Sequence, residues 1–206
     1  MLSNKYSWWG FKGALSNKFC DELIEYANQQ ETQDARVGIF SEQKKYLSEG
    51  DRKEIRKYRN SNITWLSEPW ISNQVLPFVK EANKKAGWNY DWDYAERMQF
   101  TRYFENQYYH WHVDEFTQSY EQNHRYKGKV RKLSVTCILN DGNEYEGGDL
   151  EFQYRDKTFI EQEKCNLSKI KGSVIVFPSY VFHRVTPVLK GRRYSLVVWT
   201  LGEPWK

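Results

Sequence analysis

Cysteine is scarce in these 206 residues: Cys20, Cys137 and Cys165 are far apart and form no Cys-x-x-Cys pair. An odd, dispersed set argues against a disulfide framework and against a thiolate-held zinc, and it fits a reduced compartment. Long apolar runs are missing too. No stretch reaches the ~18 uninterrupted apolar residues of a spanning helix. The N-terminal MLSNKYSWWGFKG lacks an apolar run of signal-peptide length. The expectation is a soluble, cytoplasmic protein with no membrane partner. Nor is one sign of charge in large excess: 31 Lys and Arg against 27 Asp and Glu leave +4, short of the dense basic face of a dedicated nucleic-acid binder. The basic runs DRKEIRKYRN (51–60) and HRYKGKVRK (124–132) carry acidic or aromatic neighbours and read as solvated loops and strand ends. Histidine is sparse as well, with four in the chain, so any imidazole-based site draws on a short list.

What is present reads as one domain over 1–206, with a helical lead-in and support over 1–90 and a β-rich core over 91–206. SNKFCDELIEYANQQ predicts an amphipathic helix capped by Ser16, with Phe19, Leu23, Ile24 and Ala27 on one face. The polar stretch from about 31 to 62 reads as a long loop holding a short strand. A second helix is expected over 68–86, stopped by Gly87 and kinked or split by Pro77. Beyond residue 88 the pattern becomes short β-like runs, RMQFTRYF, KLSVTCIL, DLEFQYR, GSVIVFP and RYSLVVWTL, separated by turn residues. Helices followed by many short strands predict an α+β fold whose C-terminal half is a sandwich or barrel.

Within YYHWHVDEF (108–116), His110, His112 and Asp114 alternate and share a strand face. Residues i and i+2 lie ~6.6 Å apart at Cα and can converge on one ion, whereas i and i+4, ~13 Å apart, cannot without a bend. The better pair is His112 with Asp114, one neutral nitrogen and one anionic oxygen, two thirds of the facial triad that suits non-haem Fe(II). The third ligand must come from elsewhere. His124 sits in a polar, turn-like segment, while His183 follows the apolar strand GSVIVFPS and is the stronger candidate. Trp111 and Val113, on the opposite face, are expected in the core, and His110 at a barrel rim. Ten residues after His183, GRRYSLVVW places Arg192 and Arg193 on opposite faces of a strand. A guanidinium directed into an apolar barrel needs an anion, and its planar fork matches a carboxylate. Either it neutralises a structural acid or it receives a ligand.

The runs RYFENQYYHWHVD, YEGGDLEF and KGSVIVFPSYVFHRVTPVLKGRRYSLVVW resemble the iron- and 2-oxoglutarate-dependent dioxygenases, in particular the prolyl 4-hydroxylase-like branch with its small bacterial and phage members. The resemblance spans about residues 96–200. It implies a double-stranded β-helix, a jelly-roll barrel flanked here by N-terminal helices. It implies His112, Asp114 and His183 as iron ligands and Arg193 as the clamp on the distal carboxylate of 2-oxoglutarate, with Ser195 and Tyr103 as further cosubstrate contacts. The implied reaction consumes O2 and 2-oxoglutarate, hydroxylates a substrate C–H bond and releases succinate and CO2, with ascorbate as an accessory reductant. Two positions depart from the family pattern. A glycine frequent between the tyrosines is Asn106, which also accepts left-handed turns. A second cosubstrate-contacting tyrosine has no counterpart in LSVTCILN.

The resemblance favours a peptidyl, prolyl substrate, so a peptide or protein partner is expected over a nucleic acid. Tyr108, Tyr109, His110, Phe116 and Asp149 are the candidate substrate contacts, with Gly147 and Gly148 read as a turn that sets Asp149 near the entrance. Oxidative demethylation of nucleic acids or nucleotides is the second reading. It is disfavoured because the second arginine usual six residues after the first is Trp199 here. A silent metal- or sugar-binding barrel is the third reading and a zinc hydrolase the last, since no general base is evident beyond Glu115 or Asp149. Oligomeric state is not legible.

Overall fold

The computed structural model describes residues 6–35, 48–115, 119–120, 125–155 and 160–205. Three helices are present among them: α1 (Asn17–Asn28), α2 (Glu49–Tyr58) and α3 (Pro69–Lys85). The strands of the first half are β1 (Trp9–Phe11), β2 (Gln33–Asp34), β3 (Arg59–Asn60), β4 (Asn62–Leu66) and β5 (Tyr94–Ala95). The β-rich half contributes β6 (Met98–Tyr103), β7 (Tyr108–His112), β8 (Val130–Ile138), β9 (Tyr145–Gly147) and β10 (Leu150–Arg155). It continues with β11 (Ile160–Lys164), β12 (Val174–Pro178), β13 (Phe182–Val185), β14 (Val188–Gly191) and β15 (Arg193–Gly202).

Two antiparallel sheets face each other. The larger runs β1-β12-β8-β15-β6-β4-β2, with β5 added along β15, and the smaller runs β11-β10-β13-β7-β3. Strands from the first 66 residues therefore extend both sheets. The closed pair of sheets is the double-stranded β-helix expected for the chain. Its long crossovers, such as β6 pairing with β15 and β10 with β13, are what wind a jelly roll.

Side-chain alternation assigns the two faces of the larger sheet. Phe100, Leu133, Val135, Cys137, Leu196 and Val198 point outward and are covered by Phe19, Leu23 and Ala27 of α1 and by Ile71, Val75, Val79 and Ala82 of α3. The opposite face looks into the barrel, where Ile138 and Ile175 meet Leu150, Phe152 and Phe177. Ser16 caps α1 by accepting from the Phe19 amide at 3.1 Å, as its sequence predicts.

Two local expectations differ from the structure. α2 lies inside the stretch read as a loop. It is held by a capping box, with Ser48 Oγ accepting from the Asp51 amide at 3.1 Å and the Ser48 amide donating to Asp51 Oδ2 at 2.9 Å. Only Ile55 of this helix is buried, so no apolar period advertises it. At Pro77 the split does not occur, and α3 is continuous from Pro69 to Lys85. A proline in a helix interior costs about 3 kcal/mol, and the buried stripe on either side, Ile71 and Val75 before it and Val79 and Ala82 after it, holds the helix across the missing hydrogen bond.

Phe100 is fully buried between the larger sheet and the helices. Phe100→Ala is expected to destabilise the protein by about 3–5 kcal/mol in denaturant unfolding, through lost transfer energy and the cavity left behind.

Candidate metal centre and anion pocket

His112 ends β7 and pairs directly with His183 on β13, while the next pairing is Val185 with Tyr109. Between these pairs one residue of β13, Arg184, faces two of β7, a β-bulge at His110 and Trp111. The bulge has two consequences. Tyr109 and His112, three apart, share the inner face, and their rings stack with centroids 3.4 Å apart. Trp111 turns outward, against Phe182 at 5.9 Å and under the Arg184 guanidinium at 4.6 Å, and Val113 is 41% exposed. The expected core placement of Trp111 and Val113 is therefore corrected: they do lie opposite His112 and Asp114, but the outer face of this smaller sheet is not covered by the helices, which pack on the larger one.

Asp114 lies just past the strand end. Its amide and that of Glu115 both donate to the Ser179 carbonyl at 2.9 Å. Each carboxylate oxygen faces a different imidazole, with His112 Nε2 3.6 Å from Oδ1 and His183 Nε2 3.5 Å from Oδ2. The metal-binding atoms of His112, Asp114 and His183 all lie within 4.8 Å of one another. Their tautomers are set from behind. His112 Nδ1 is 2.7 Å from the His110 carbonyl and His183 Nδ1 is 2.9 Å from that of Val181. Carbonyls only accept, so both Nδ1 atoms carry the proton and both Nε2 lone pairs face the aspartate.

Electrostatics favour an ionised Asp114 and a deprotonated His183. Burial alone would raise the Asp114 pKa, but His183, His112 and Arg131 together hold it far below the usual carboxylate range. Burial, reinforced by His112 and only partly opposed by Asp114, lowers His183 from 6.5 to about 4.

Arg131 was not singled out by sequence, because it closes a run that reads as a solvated hairpin. The structure buries most of it. Its Nε and Nη2 donate to the two Glu96 carboxylate oxygens at 2.6 and 2.8 Å, its Nη1 donates to the Asp114 carbonyl at 3.2 Å, and its guanidinium lies 4.0 Å over the Trp199 ring. Tyr120 O–H donates to the same Glu96 carboxylate at 2.9 Å. The indole Nε1 of Trp199 is buried with no hydrogen-bond partner.

Arg193 faces the barrel interior and is fully buried, whereas Arg192 points out. Its Nη1 donates to Ser195 Oγ at 2.9 Å, and its Nε and Nη2 have no partner. Those two nitrogens form the side-on edge of a guanidinium, the edge that a carboxylate engages with both oxygens. The Tyr103 ring is 5.3 Å from the guanidinium. Tyr145 is buried beside it: burial raises the phenol's pKa, and Arg193 is the main opposing influence. Gly148, at φ +63, does more than turn the chain, since a Cβ there would stand 3.0 Å from Arg193 Cδ.

The remaining predicted residues are scattered around this centre. Asp149 is ion-paired to Lys164 at 2.9 Å, with Lys169 at 3.7 Å. Tyr108 O–H donates to the Arg56 carbonyl at the end of α2 at 2.9 Å. His110 is exposed and meets the triad through its carbonyl. Asn106 adopts φ +63, the left-handed turn expected of it. Phe116 lies outside the described residues, as does His124.

A family model, the 2OG-Fe(II) oxygenase superfamily, matches residues 98–201. The chain belongs to that superfamily. Among curated relatives, a PKHD-type hydroxylase of Synechococcus sp. is 42% identical over 91 residues, 44% of this chain and 35% of that protein. PKHD-type hydroxylase YbiX of Escherichia coli O157:H7 is 37% identical over 101 residues, 48% of this chain and 40% of its own length. The matched region thus spans well under two thirds of these relatives. Solved structures extend the likeness to the whole fold. A Pseudomonas putida prolyl-4-hydroxylase superposes with a TM-score of 0.66 at 18% identity, covering 97% of this chain and 95% of that one. A viral collagen prolyl hydroxylase from Paramecium Bursaria Chlorella virus-1 gives 0.64 at 19% identity, covering 98% and 99%. This superfamily member shares the fold of the prolyl 4-hydroxylase-like branch. Among its described residues, no helix is long and apolar enough to cross a membrane.

Two measurements follow. In the metal-free oxygenase, the unfolded state takes up the His183 proton near pH 6.5 and the folded state only near pH 4. That share of stability should be complete above pH 6.5 and fall away as pH drops toward 4, and the slope should flatten in His183→Gln, read by denaturant unfolding across this window. Arg131→Met leaves the buried Glu96 carboxylate without its cation, with the Tyr120 hydroxyl as a remaining donor, and should cost about 3–5 kcal/mol in the same assay.

Proposed function

We propose that this protein is an Fe(II)- and 2-oxoglutarate-dependent dioxygenase that hydroxylates a C–H bond of a peptidyl substrate, a prolyl side chain above others, with release of succinate and CO2. The observation that carries the reading is Arg193: a fully buried cation whose side-on edge is desolvated and unpartnered. Unmade hydrogen bonds at a buried charged group are costly, and a carboxylate satisfies both at once. The donor set of two neutral imidazoles and one carboxylate fits Fe(II), a facial triad that leaves other coordination positions open.

On this reading His112, Asp114 and His183 hold the iron, and Arg193 with Ser195 seats the distal carboxylate of 2-oxoglutarate beside Tyr103. When bound, iron and cosubstrate supply the oxidising chemistry, with O2 as oxidant and ascorbate as an accessory reductant. The chain supplies the rest. The carbonyls of His110 and Val181 keep both imidazoles in the metal-binding tautomer, Ser179 fixes Asp114, and Phe152 and Phe177 keep the His183 side dry.

Peptide substrates are supported by the fold, which is shared with a viral collagen prolyl hydroxylase and with a Trichoplax adhaerens prolyl hydroxylase solved with a peptide fragment. Tyr109 supplies a ring at the triad.

Anaerobic titration of the Fe(II)-loaded protein with 2-oxoglutarate should produce the weak visible charge-transfer band of a chelated complex. Arg193→Ala should need at least ten times more cosubstrate for the same band while holding metal as the parent does, and His183→Ala should abolish turnover. Metal binding without a band in the parent protein overturns the dioxygenase reading.

A further inference from the structure

Arg59 lies on β3, outside residues 98–201 that carry the family match, and it reaches the metal centre through a three-layer stack. We propose that Arg59 is a positioning residue that presses Tyr109 onto the face of His112, and so fixes the tilt of that ligand. The inference rests on the reading of His112 as a metal ligand.

The two histidines of the triad are held in different ways. Both have one in-plane hydrogen bond, from Nδ1 to a carbonyl. Such a bond sets the direction of the ring but leaves it free to tip about the bond axis. For His183 the tipping is blocked by the core, with Phe177 at 4.6 Å and Phe152 at 6.4 Å packed against the ring. His112 stands at the more open side, its side chain 14% exposed against 7% for His183. Its face is covered by Tyr109, at 3.4 Å between centroids and 14° between planes. Tyr109 is itself only half-buried, so something must hold it in turn.

Arg59 does this from the far face. It pairs with Tyr109 across β3 and β7, its guanidinium carbon sits 4.4 Å from the Tyr109 ring centroid, and it is 6% exposed. Its Nε donates to Ser61 Oγ at 3.1 Å, which fixes the guanidinium plane. A cation over the face of a phenol ring is attractive. The neighbouring residue is anchored to the same unit, since Tyr108 O–H donates to the carbonyls of Arg56 and Lys57 at 2.9 and 3.3 Å. Helix α2 and strand β3 therefore grip, through two consecutive tyrosines, the strand that ends in His112.

Removing partners that orient metal ligands commonly costs 10- to 100-fold in metal affinity, and a residue one layer further out should cost less. The test uses the full chain loaded anaerobically with Fe(II), or with Co(II) as a spectroscopic probe, and follows metal loss to a chelator. Arg59→Met and Tyr109→Leu are expected to release metal about 3- to 10-fold faster and to shift the visible Co(II) bands. Tyr109→Phe, which keeps the ring, should retain metal like the parent, and Arg59→Lys should fall between. Parent-like release and spectra in Arg59→Met overturn the inference while leaving the dioxygenase reading intact. Equal release from Arg59→Met and Tyr109→Phe, with both metal-free variants unfolding earlier, also overturns it, because general loosening would then be the cause. A parent protein that binds no metal removes the underlying reading itself.

Discussion

The backbone carbonyls of Ser179 and Val181 are the fixed points on which the site depends. Ser179 accepts the amides of Asp114 and Glu115, and Val181 accepts Nδ1 of His183, so one turn after β12 orients two of the three triad members. The turn is in turn tied down. The Ser179 amide donates to the Lys132 carbonyl at 3.0 Å, its hydroxyl lies 3.0 Å from that of Ser134, and the Val181 amide closes on Pro178. Buried amides and carbonyls must be satisfied, so the register between β8 and β12 is passed directly to Asp114 and His183. A slip of one residue would turn every side chain to the opposite face and separate Asp114 from both imidazoles.

Arg193 follows a different logic. The triad is internally compensated, one carboxylate between two imidazoles, but Arg193 makes no ion pair among the described residues. Burying it costs the protein stability that a carboxylate ligand would restore. Binding of such a ligand must therefore favour the folded state over the unfolded one, by linkage. Gly148 is part of the same arrangement, because only a residue without Cβ leaves room for the arginine stem at φ +63.

How far the sequence could be read follows from what kind of constraint each residue obeys. The five core strands and α1 were legible because burial of one face writes a period into the residues. His112, Asp114, His183 and Arg193 were legible because their types are costly to bury without a partner and their order along the chain is unusual. α2 was hidden because it buries only Ile55 and its signal is a cap rather than a stripe. The inward turn of Tyr109 was hidden by the bulge, which breaks the alternation on which the face assignment relied. Arg131, Tyr145 and Arg59 are products of tertiary approach. Nothing local distinguishes Arg131 from its solvated neighbours, because its partner Glu96 is 35 residues away.

Strand β15 sets the layout of the pocket. Arg193 and Trp199 both face inward, six residues apart, which separates them by about 20 Å along an extended strand. The Arg193 guanidinium is at one end and the buried, unpartnered indole N–H at the other. Arg131 bridges the gap to the metal centre, touching Trp199 with its face and the Asp114 carbonyl with its edge. The Trp199 side is also walled by Trp65, 6.2 Å from it on β4, and β4, like β3 with Arg59, precedes the matched segment. The matched half thus carries the residues read as iron and cosubstrate ligands, while strands that precede it pack against Tyr109 and Trp199 from outside that segment. Relatives that share only residues 98–201 with this chain can keep the same chemistry and still differ in what they hydroxylate.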